Sequence, residues 1–246
     1  MRFAFAVLLA IAACLSGGCT MTKVEGSGNP MTETRTISSA TAVSLDASGE
    51  LTITQGPTMS LTVTADDNIL PYLRTEVKDG TLHIDLVGTS AFSSFRTKVP
   101  IHFELTLPDL QALAVSGSGT AHADSLTAKE LSIAVSGSGD VAIARLSAQA
   151  LSSAISGSGS IRVSGEAGLQ SVAVSGSGEF KGQDLKSATA EVAVSGSGDV
   201  AVWVENDLEA AVSGSGSVSY FGDPRVEREV SGSGQVRSLG PHVVSL

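Results

Sequence analysis

The C-terminal half of the chain is a series of closely similar repeats. The tetrapeptide Ser-Gly-Ser-Gly occurs seven times, beginning at Ser116, Ser136, Ser156, Ser175, Ser195, Ser213 and Ser231. Successive starts are 20, 20, 19, 20, 18 and 18 residues apart. A period of this size is typical of a solenoid, in which each repeat buries its apolar face by stacking on its neighbours. The repeat therefore constrains the fold more than any other feature of the sequence.

Within each repeat, apolar and polar residues alternate. The residue before each motif is always β-branched, as in Val115, Val135, Ile155, Val174, Val194, Val212 and Val230. The position four residues after the first Ser is polar throughout: Thr120, Asp140, Ser160, Glu179, Asp199, Ser217 and Gln235. Alternation with a period of two indicates half-buried β-strands. Stacked rungs of such strands predict an all-β, right-handed parallel β-solenoid, similar to a β-helix or β-roll, with about seven rungs.

The same alternation places the two Gly of each motif on the inner face and the two Ser on the outer face. The glycines are Gly117, Gly119, Gly137, Gly139, Gly157, Gly159, Gly176, Gly178, Gly196, Gly198, Gly214, Gly216, Gly232 and Gly234. Either the chain bends sharply at these positions, or the opposite wall is too close for a side chain. Both interpretations predict that Gly117→Val or its equivalents are poorly tolerated. The outer Ser hydroxyls, stacked about 4.8 Å apart, are expected to form hydrogen-bonded ladders.

The first 18 residues resemble an export signal of the lipoprotein type. Arg2 precedes an apolar run over residues 3–13, and small residues then precede a cysteine. This segment is too short to span a bilayer as a mature helix. The residues before Cys19 and Cys14 both resemble the bacterial lipobox. Cys19 gives a signal of ordinary length and is the favoured lipidation site, with Cys14 as the alternative.

Three regions follow the signal. Residues 19–33 are polar with Gly and Pro, a composition typical of a flexible tether. Residues 34–108 contain short strand-like runs separated by turn signals, and residues 43–54 overlay the repeat as a degenerate first rung. We expect this region to form an irregular β cap on the N-terminal edge of the solenoid, which occupies residues 109–246. Residues 90–97 are expected to be an exposed loop.

Two stretches before the repeats resemble a known family. They are VEGSGNPMTETRTISSATAVSLDASGELTITQG and LTVTADDNILPYLRTEVKDGTLHIDL. Together with the serial SGSG motifs, they are similar to the bacterial putative auto-transporter adhesin, head GIN domain family, over about Val24 to Val236. The resemblance implies a β-solenoid-like exported protein without an established biochemical activity. It carries over no catalytic residue.

The polar column offers three carboxylates as candidate site residues: Asp140, Glu179 and Asp199. The last two lie on adjacent rungs, and two carboxylates about 5 Å apart could act as an acid/base pair or bind a cation. The same column contains Thr and Ser, and the four histidines show no metal-ligand spacing. We therefore interpret the three carboxylates as solvated residues of a binding surface, and we predict no catalytic residue, no metal site and no cofactor.

An aromatic stripe is the second candidate surface. Trp203 and Phe221, with Leu239, each lie eight residues after the first Ser of three successive motifs, on the outer parity. Exposed aromatic side chains could stack on sugar rings or contact a partner protein. The alternative, which we favour, is that they pack against the C-terminal tail, residues 241–246.

Charge and export together indicate a function class. The chain has 15 Lys and Arg against 25 Asp and Glu, a net charge of −10, which argues against a nucleic-acid partner. The sequence predicts a non-catalytic, exported cell-envelope protein, an outer-membrane lipoprotein facing the periplasm or the cell surface, with an adhesin-like binding or structural role. Its predicted partners are the membrane, through the lipid anchor, and a glycan or protein surface ligand. The alternatives are a solenoid enzyme acting on polysaccharide, which would use the same three carboxylates, and a ligand-free periplasmic scaffold.

Overall fold

The computed structural model describes residues 22–87 and 93–242, and it is all-β. Strands make up 72% of it, and the helical content of the described residues is one 3₁₀ turn, Leu70–Tyr72. Within these two ranges, no helix is long and apolar enough to cross a membrane. The predicted signal segment, with Cys14 and Cys19, lies outside the described residues.

The strands divide into an irregular N-terminal group and a repetitive C-terminal group. The first group comprises β1 (Thr22–Glu25), β2 (Pro30–Arg35), β3 (Ala42–Leu45), β4 (Glu50–Gln55), β5 (Ser60–Asp66), β6 (Leu73–Lys78), β7 (Thr81–Leu86), β8 (Ser93–Arg96) and β9 (His102–Leu107). The second comprises β10 (Ala112–Gly117), β11 (Thr120–Ala123), β12 (Leu126–Gly137), β13 (Asp140–Gly157), β14 (Ser160–Gly176), β15 (Glu179–Gly196), β16 (Asp199–Gly214), β17 (Ser217–Phe221), β18 (Arg225–Gly232) and β19 (Gln235–Ser238).

The second group forms a parallel solenoid. Residues one repeat apart lie opposite each other on neighbouring strands, as Val135 lies opposite Ile155 and Ser136 opposite Ser156. The predicted all-β, parallel solenoid is therefore confirmed. It has about six turns rather than seven, because only the short strand β19 follows the seventh motif.

The core of the solenoid consists of stacked apolar columns. As the alternation predicts, Val135, Val141 and Ile143 are 1 to 2% exposed, while the polar residues between them face outward. Burying a Val or Ile side chain stabilises the fold by about 1.5–3 kcal/mol. Because each column continues through several rungs, every rung buries its neighbours, and an interior rung has no independent core.

The N-terminal group continues the solenoid and then closes it. β3 and β4 form the rung before the first motif, with Leu45 opposite Val115 and Leu51 opposite Ala121. On their other side, β3 pairs with β7 and β4 with β9, again in parallel. Antiparallel pairs then replace the parallel stack: β2 with β5, β5 with β9, and β6 with β7. This change of direction caps an edge at which stacking could otherwise continue.

Residues 22–33, predicted to belong to a flexible tether, contain two strands. β1 pairs in parallel with β8, and β2 pairs antiparallel with β5. The β1–β8 pair also places a strand in the segment that was expected to be a loop. The prediction was wrong at both places because the strands are short and polar. A two-stranded pair of this kind is stable only when the rest of the fold supports it.

A buried carboxylate fastens this N-terminal segment to the cap. The side chain of Asp66 is fully buried. Its Oδ1 accepts a hydrogen bond from the backbone N–H of Gly28 at 2.7 Å, and its Oδ2 accepts from those of Lys98 at 2.9 Å and Val99 at 3.1 Å. Burial raises the pKa of Asp66, but the three hydrogen bonds and the charge of Lys98 outweigh it, so the pKa lies below its ordinary value of 3.8.

The two residues after Asp66 hold the same segment. Asp67 accepts a hydrogen bond from the Ser27 hydroxyl at 2.5 Å, and the side-chain amide of Asn68 donates to the carbonyl of Glu25 at 2.9 Å. We call the contacts of Asp66, Asp67 and Asn68 with residues 25–28 and 98–99 the N-terminal clasp. Thus Asp67 and Asn68, which lie in the second of the two stretches that resemble the family, have a structural role in closing the cap.

The two glycines of each motif serve different purposes. The first, as in Gly157, has a φ of +122°, a backbone conformation in which the chain bends out of the strand. At the second, a Cβ on Gly159 would lie 2.3 Å from the carbonyl oxygen of Gly139 and 2.6 Å from a methyl group of Val135. The first glycine has no room for a side chain either, because a Cβ on Gly157 would lie 2.5 Å from the carbonyl oxygen of Gly137. The close approach of the neighbouring rung therefore applies to both glycines here, and the sharp bend applies to the first alone.

One polar residue interrupts an apolar column. Ser153 occupies the column of Ile133 and Val172 and is 2% exposed, and its hydroxyl has no hydrogen-bond partner among the described residues. We expect Ser153→Val to raise the free energy of unfolding by about 1 kcal/mol, because it removes an unsatisfied buried hydroxyl and adds apolar contact. Thermal and denaturant unfolding measure this change. Ser152→Val, on the exposed side of the same strand, should change stability by less than about 0.5 kcal/mol; destabilisation by Ser153→Val would contradict the assignment.

Candidate functional site

The polar column forms a continuous stripe on the outer surface. Its members lie opposite one another on adjacent strands in the order Glu50, Thr120, Asp140, Ser160, Glu179, Asp199, Ser217 and Gln235. Glu179 and Asp199 are therefore direct neighbours, as the repeat predicts. The stripe ends beside the cap, where Glu50 contacts His102 and His122 at 3.0 and 3.4 Å.

Each candidate carboxylate already has a partner within the stripe or beside it. Asp140 accepts a hydrogen bond from the Ser160 hydroxyl at 2.6 Å, and Asp199 accepts one from Ser217. Glu179 forms an ion pair with Lys181 at 2.6 Å. In the part of the chain that the structure describes, no three His, Cys, Asp or Glu side chains are arranged to hold a metal ion. The geometry favours a solvated polar surface.

A long groove runs along another face of the solenoid. It has a volume of about 670 Å³. In the second to sixth motifs its lining is the first Ser and the two residues before it, and the seventh motif contributes Glu229 and Ser231. The exposed methyl groups are those of Ala134, Ala154, Ala173, Ala193 and Ala211. Six Ser residues, from Ser136 to Ser231, line it beside them, and Glu229 is its one charged lining residue. Five rung spacings of about 4.8 Å give it a length of roughly 24 Å, which suits an extended ligand.

The Ser hydroxyls along this groove do not form the predicted ladders. Ser136, Ser156 and Ser175 lie opposite one another, but none of these hydroxyls has a hydrogen-bond partner among the described residues. The ladder bonds form instead in the polar stripe, between Ser and Asp. The prediction was wrong because exposed hydroxyls bond readily to water, whereas an adjacent carboxylate is a stronger acceptor. The groove therefore presents a row of hydroxyls that are free to bond a ligand.

The two candidate aromatic side chains are half-buried. Trp203 and Phe221 lie opposite each other on β16 and β17. The ring of His242 stacks on Trp203, with centroids 4.1 Å apart, and meets Phe221 edge-on at 5.4 Å. A residue of the C-terminal tail therefore covers the stripe, in agreement with the favoured interpretation of the sequence.

The fold and these surfaces can be compared with known proteins. A family model described as "Putative auto-transporter adhesin, head GIN domain" matches residues 40–224. The chain belongs to this head GIN domain family. The match covers the degenerate first rung, the cap from residue 40 onward and all but the last motif of the solenoid. No curated protein matches the chain.

Solved structures share the head GIN domain fold. A putative lipid binding protein from Parabacteroides distasonis is 28% identical, with a TM-score of 0.75, and the alignment covers 89% of this chain and all of that one. A putative adhesin from Bacteroides fragilis is 24% identical, with a TM-score of 0.81 over 88% of this chain and all of that one. A putative adhesin from Parabacteroides distasonis is 22% identical, with a TM-score of 0.72 and the same coverage. At these lower identities the likeness shows the fold alone.

Sequence reasoning missed two features of the surface. The groove was not predicted, because alternation alone does not show that the Ala column two residues before the motifs lines a cavity. His242 was counted among scattered histidines, although it lies beside Trp203 and Phe221. One signal in the sequence bears on the second feature: the repeat shortens from 20 to 18 residues at this point, so neighbouring rungs cannot match residue for residue.

Proposed function

We propose that this head GIN domain protein is a non-catalytic, lipid-anchored protein of the cell envelope, which binds an extended, uncharged surface ligand in the groove. The observation that carries the proposal is the groove itself, with apolar methyl groups beside a row of Ser hydroxyls that have no hydrogen-bond partner within residues 22–87 and 93–242. Its volume lies in the range of ligand sites, and its near-uncharged lining suits a neutral ligand such as a glycan chain. The family description, an adhesin head domain, supports the same role.

The short distance in sequence between Cys19 and β1 limits how far the cap could lie from a membrane. Thr22 is only three residues after Cys19, and three extended residues span at most about 11 Å. A lipid on Cys19 would therefore hold the cap close to the bilayer. The groove begins at the second motif and extends toward the opposite end of the solenoid, so a ligand could reach it.

A groove-blocking variant tests the binding role. In Ala173→Arg a long charged side chain stands in the middle of the groove, and we expect binding to an array of envelope and surface glycans to fall at least about tenfold. Ala144→Arg places the same side chain on an exposed position outside the groove and should leave binding unchanged. Absence of any glycan binding by the unmodified protein, or equal loss in both variants, would contradict the proposal.

Localisation is tested on cells. A tagged protein should be labelled by antibody on intact cells, and Cys19→Ala should release it from the membrane fraction. Cys14→Ala is the matched control and should leave the protein membrane-bound. Labelling only after permeabilisation would contradict a surface-binding role and favour the periplasmic scaffold.

A lipid is the second candidate ligand. It is favoured by the apolar lining of the groove and by the description of the relative at 28% identity as a putative lipid binding protein. The test uses a fluorescent fatty acid. Binding to the unmodified protein and to Ala144→Arg, but not to Ala173→Arg, would show that the ligand of the groove is an acyl chain and not a glycan.

A further inference from the structure

The end of the described chain occupies a slot on the side of the solenoid. The ring of His242 lies nearly parallel to the indole of Trp203, with an angle of 9° between the planes, and nearly perpendicular to the ring of Phe221, at 80°. Only 12% of the His242 side chain is exposed. The imidazole therefore contacts two aromatic side chains at once, and both contribute to holding it.

A carboxylate stands at one end of this slot. Oδ1 of Asp184 lies 3.5 Å from Nε2 of His242, close enough for an ion pair when the imidazole is protonated. Asp184 belongs to a bulge: the register between β15 and β16 shifts between Gly182 and Lys186, so residues 183–185 have no partner on β16. Bulges redirect side chains, and they are common beside functional sites. Here the bulge places a carboxylate beside the imidazole that stacks on Trp203, the single Trp of the sequence.

The charge of Asp184 is not neutralised by its neighbour in sequence. Lys186 instead donates a hydrogen bond to Glu205, with Nζ and Oε1 2.9 Å apart, and this bond, with the charge of Glu205, raises the pKa of Lys186. Asp184 is 52% exposed. The slot therefore combines an indole face, a neighbouring phenyl ring and an available carboxylate. These groups suit a planar cation, because arginine and protonated histidine stack on aromatic faces while their N–H groups reach a carboxylate.

His242 is an imperfect occupant of the slot. Its Nδ1 is buried and has no hydrogen-bond partner among the described residues, which is unfavourable for a polar atom. The last backbone bonds that hold the tail are Leu239 N–H to the Tyr220 carbonyl at 2.8 Å and Gly222 N–H to the Gly240 carbonyl at 3.0 Å. Beyond Gly240, which has a φ of +83° in open space, no backbone hydrogen bond holds the described residues 241 and 242.

We propose that Trp203, Phe221 and Asp184 form a binding site for a planar cationic side chain, of the arginine or histidine kind, on a partner polypeptide. His242 occupies this site as an intramolecular competitor, and the partner displaces it. The net charge of −10 favours the approach of a cationic partner. None of the slot residues lines the groove, so a negative result for the groove would not contradict this site, and the reverse also holds.

The fluorescence of the protein tests the slot directly, because Trp203 is its single Trp. N-acetyl-arginine amide is titrated into the unmodified protein and into His242→Ala. We expect a saturable change of Trp emission in His242→Ala, at concentrations about tenfold lower than in the unmodified protein. Adding Asp184→Asn to His242→Ala should weaken binding by about tenfold. Adding Asp124→Asn, an exposed carboxylate on another rung, should have no effect.

Two further measurements make the result decisive. His242→Glu places a like charge beside Asp184, so it empties the slot by a different route and should give the same titration as His242→Ala. N-acetyl-citrulline amide, which has the shape of the arginine ligand without its charge, should bind at least about tenfold more weakly. The proposal is overturned if neither His242 variant gives a saturable change, if citrulline binds as well as arginine, or if Asp184→Asn leaves the titration unchanged.

Discussion

Gly159→Ala should lower the free energy of unfolding by at least about 3 kcal/mol, and the melting temperature with it by roughly 10 °C. The added methyl group would lie 2.3 Å from a backbone oxygen of the rung below and 2.6 Å from a methyl group of Val135. Neither atom can move without separating two rungs, because the same contact recurs at Gly139 and Gly178 on either side. Thermal unfolding and amide hydrogen exchange over residues 131–160 measure the effect.

Gly117→Ala is the matched control. Gly117 has a φ of +80°, but a Cβ there would meet no heavy atom within 4 Å. The substitution should therefore cost only the strain of the left-handed conformation, about 1–2 kcal/mol. The free space around Gly117 thus distinguishes it from the other motif glycines, although all of them occupy equivalent positions in the repeat. Equal losses for Gly117→Ala and Gly159→Ala would contradict the larger effect that close packing between rungs predicts at Gly159.

Asp66→Ala should open the N-terminal clasp. Three backbone N–H groups, of Gly28, Lys98 and Val99, would lose their acceptor in a partly buried place. We expect hydrogen exchange at these amides to become roughly 10- to 100-fold faster, since an unsatisfied buried donor costs about 1–3 kcal/mol. Exchange in the solenoid, at residues 140–200, should hardly change, because rungs far from the cap depend on their neighbours.

The same carboxylate predicts how the clasp responds to pH. The pKa of Asp66 is lowered on folding, so its contribution to stability is complete above the ordinary value of 3.8 and is lost as the pH falls through the lower folded value. Melting temperatures between about pH 7 and pH 2 should therefore fall less steeply in Asp66→Ala than in the unmodified protein. Asp67→Ala removes one exposed hydrogen bond and should preserve the steeper fall. Identical pH profiles for Asp66→Ala and the unmodified protein would contradict the role of Asp66.

The candidate sites were predictable to different degrees. The repeat placed Glu179 beside Asp199, and the structure agrees, because register in a solenoid follows from counting residues. Trp203 and Phe221 were predicted on the outside, with the tail as their favoured cover, and His242 covers them. Counting could not place Asp184 near Trp203, because the bulge in β15 breaks the register at that point.

The repeat alone was enough to predict the solenoid, its inner columns and its register outside the bulges. Apolar alternation and a fixed period leave little freedom, since a slip of one residue would expose every inner side chain. The pairing of β1 with β8, the clasp at Asp66 and the slot around Trp203 became visible in the folded chain alone. These features join residues far apart in sequence through short polar segments. Such segments have no periodicity of their own, and they become ordered only when the rest of the fold presents the partner.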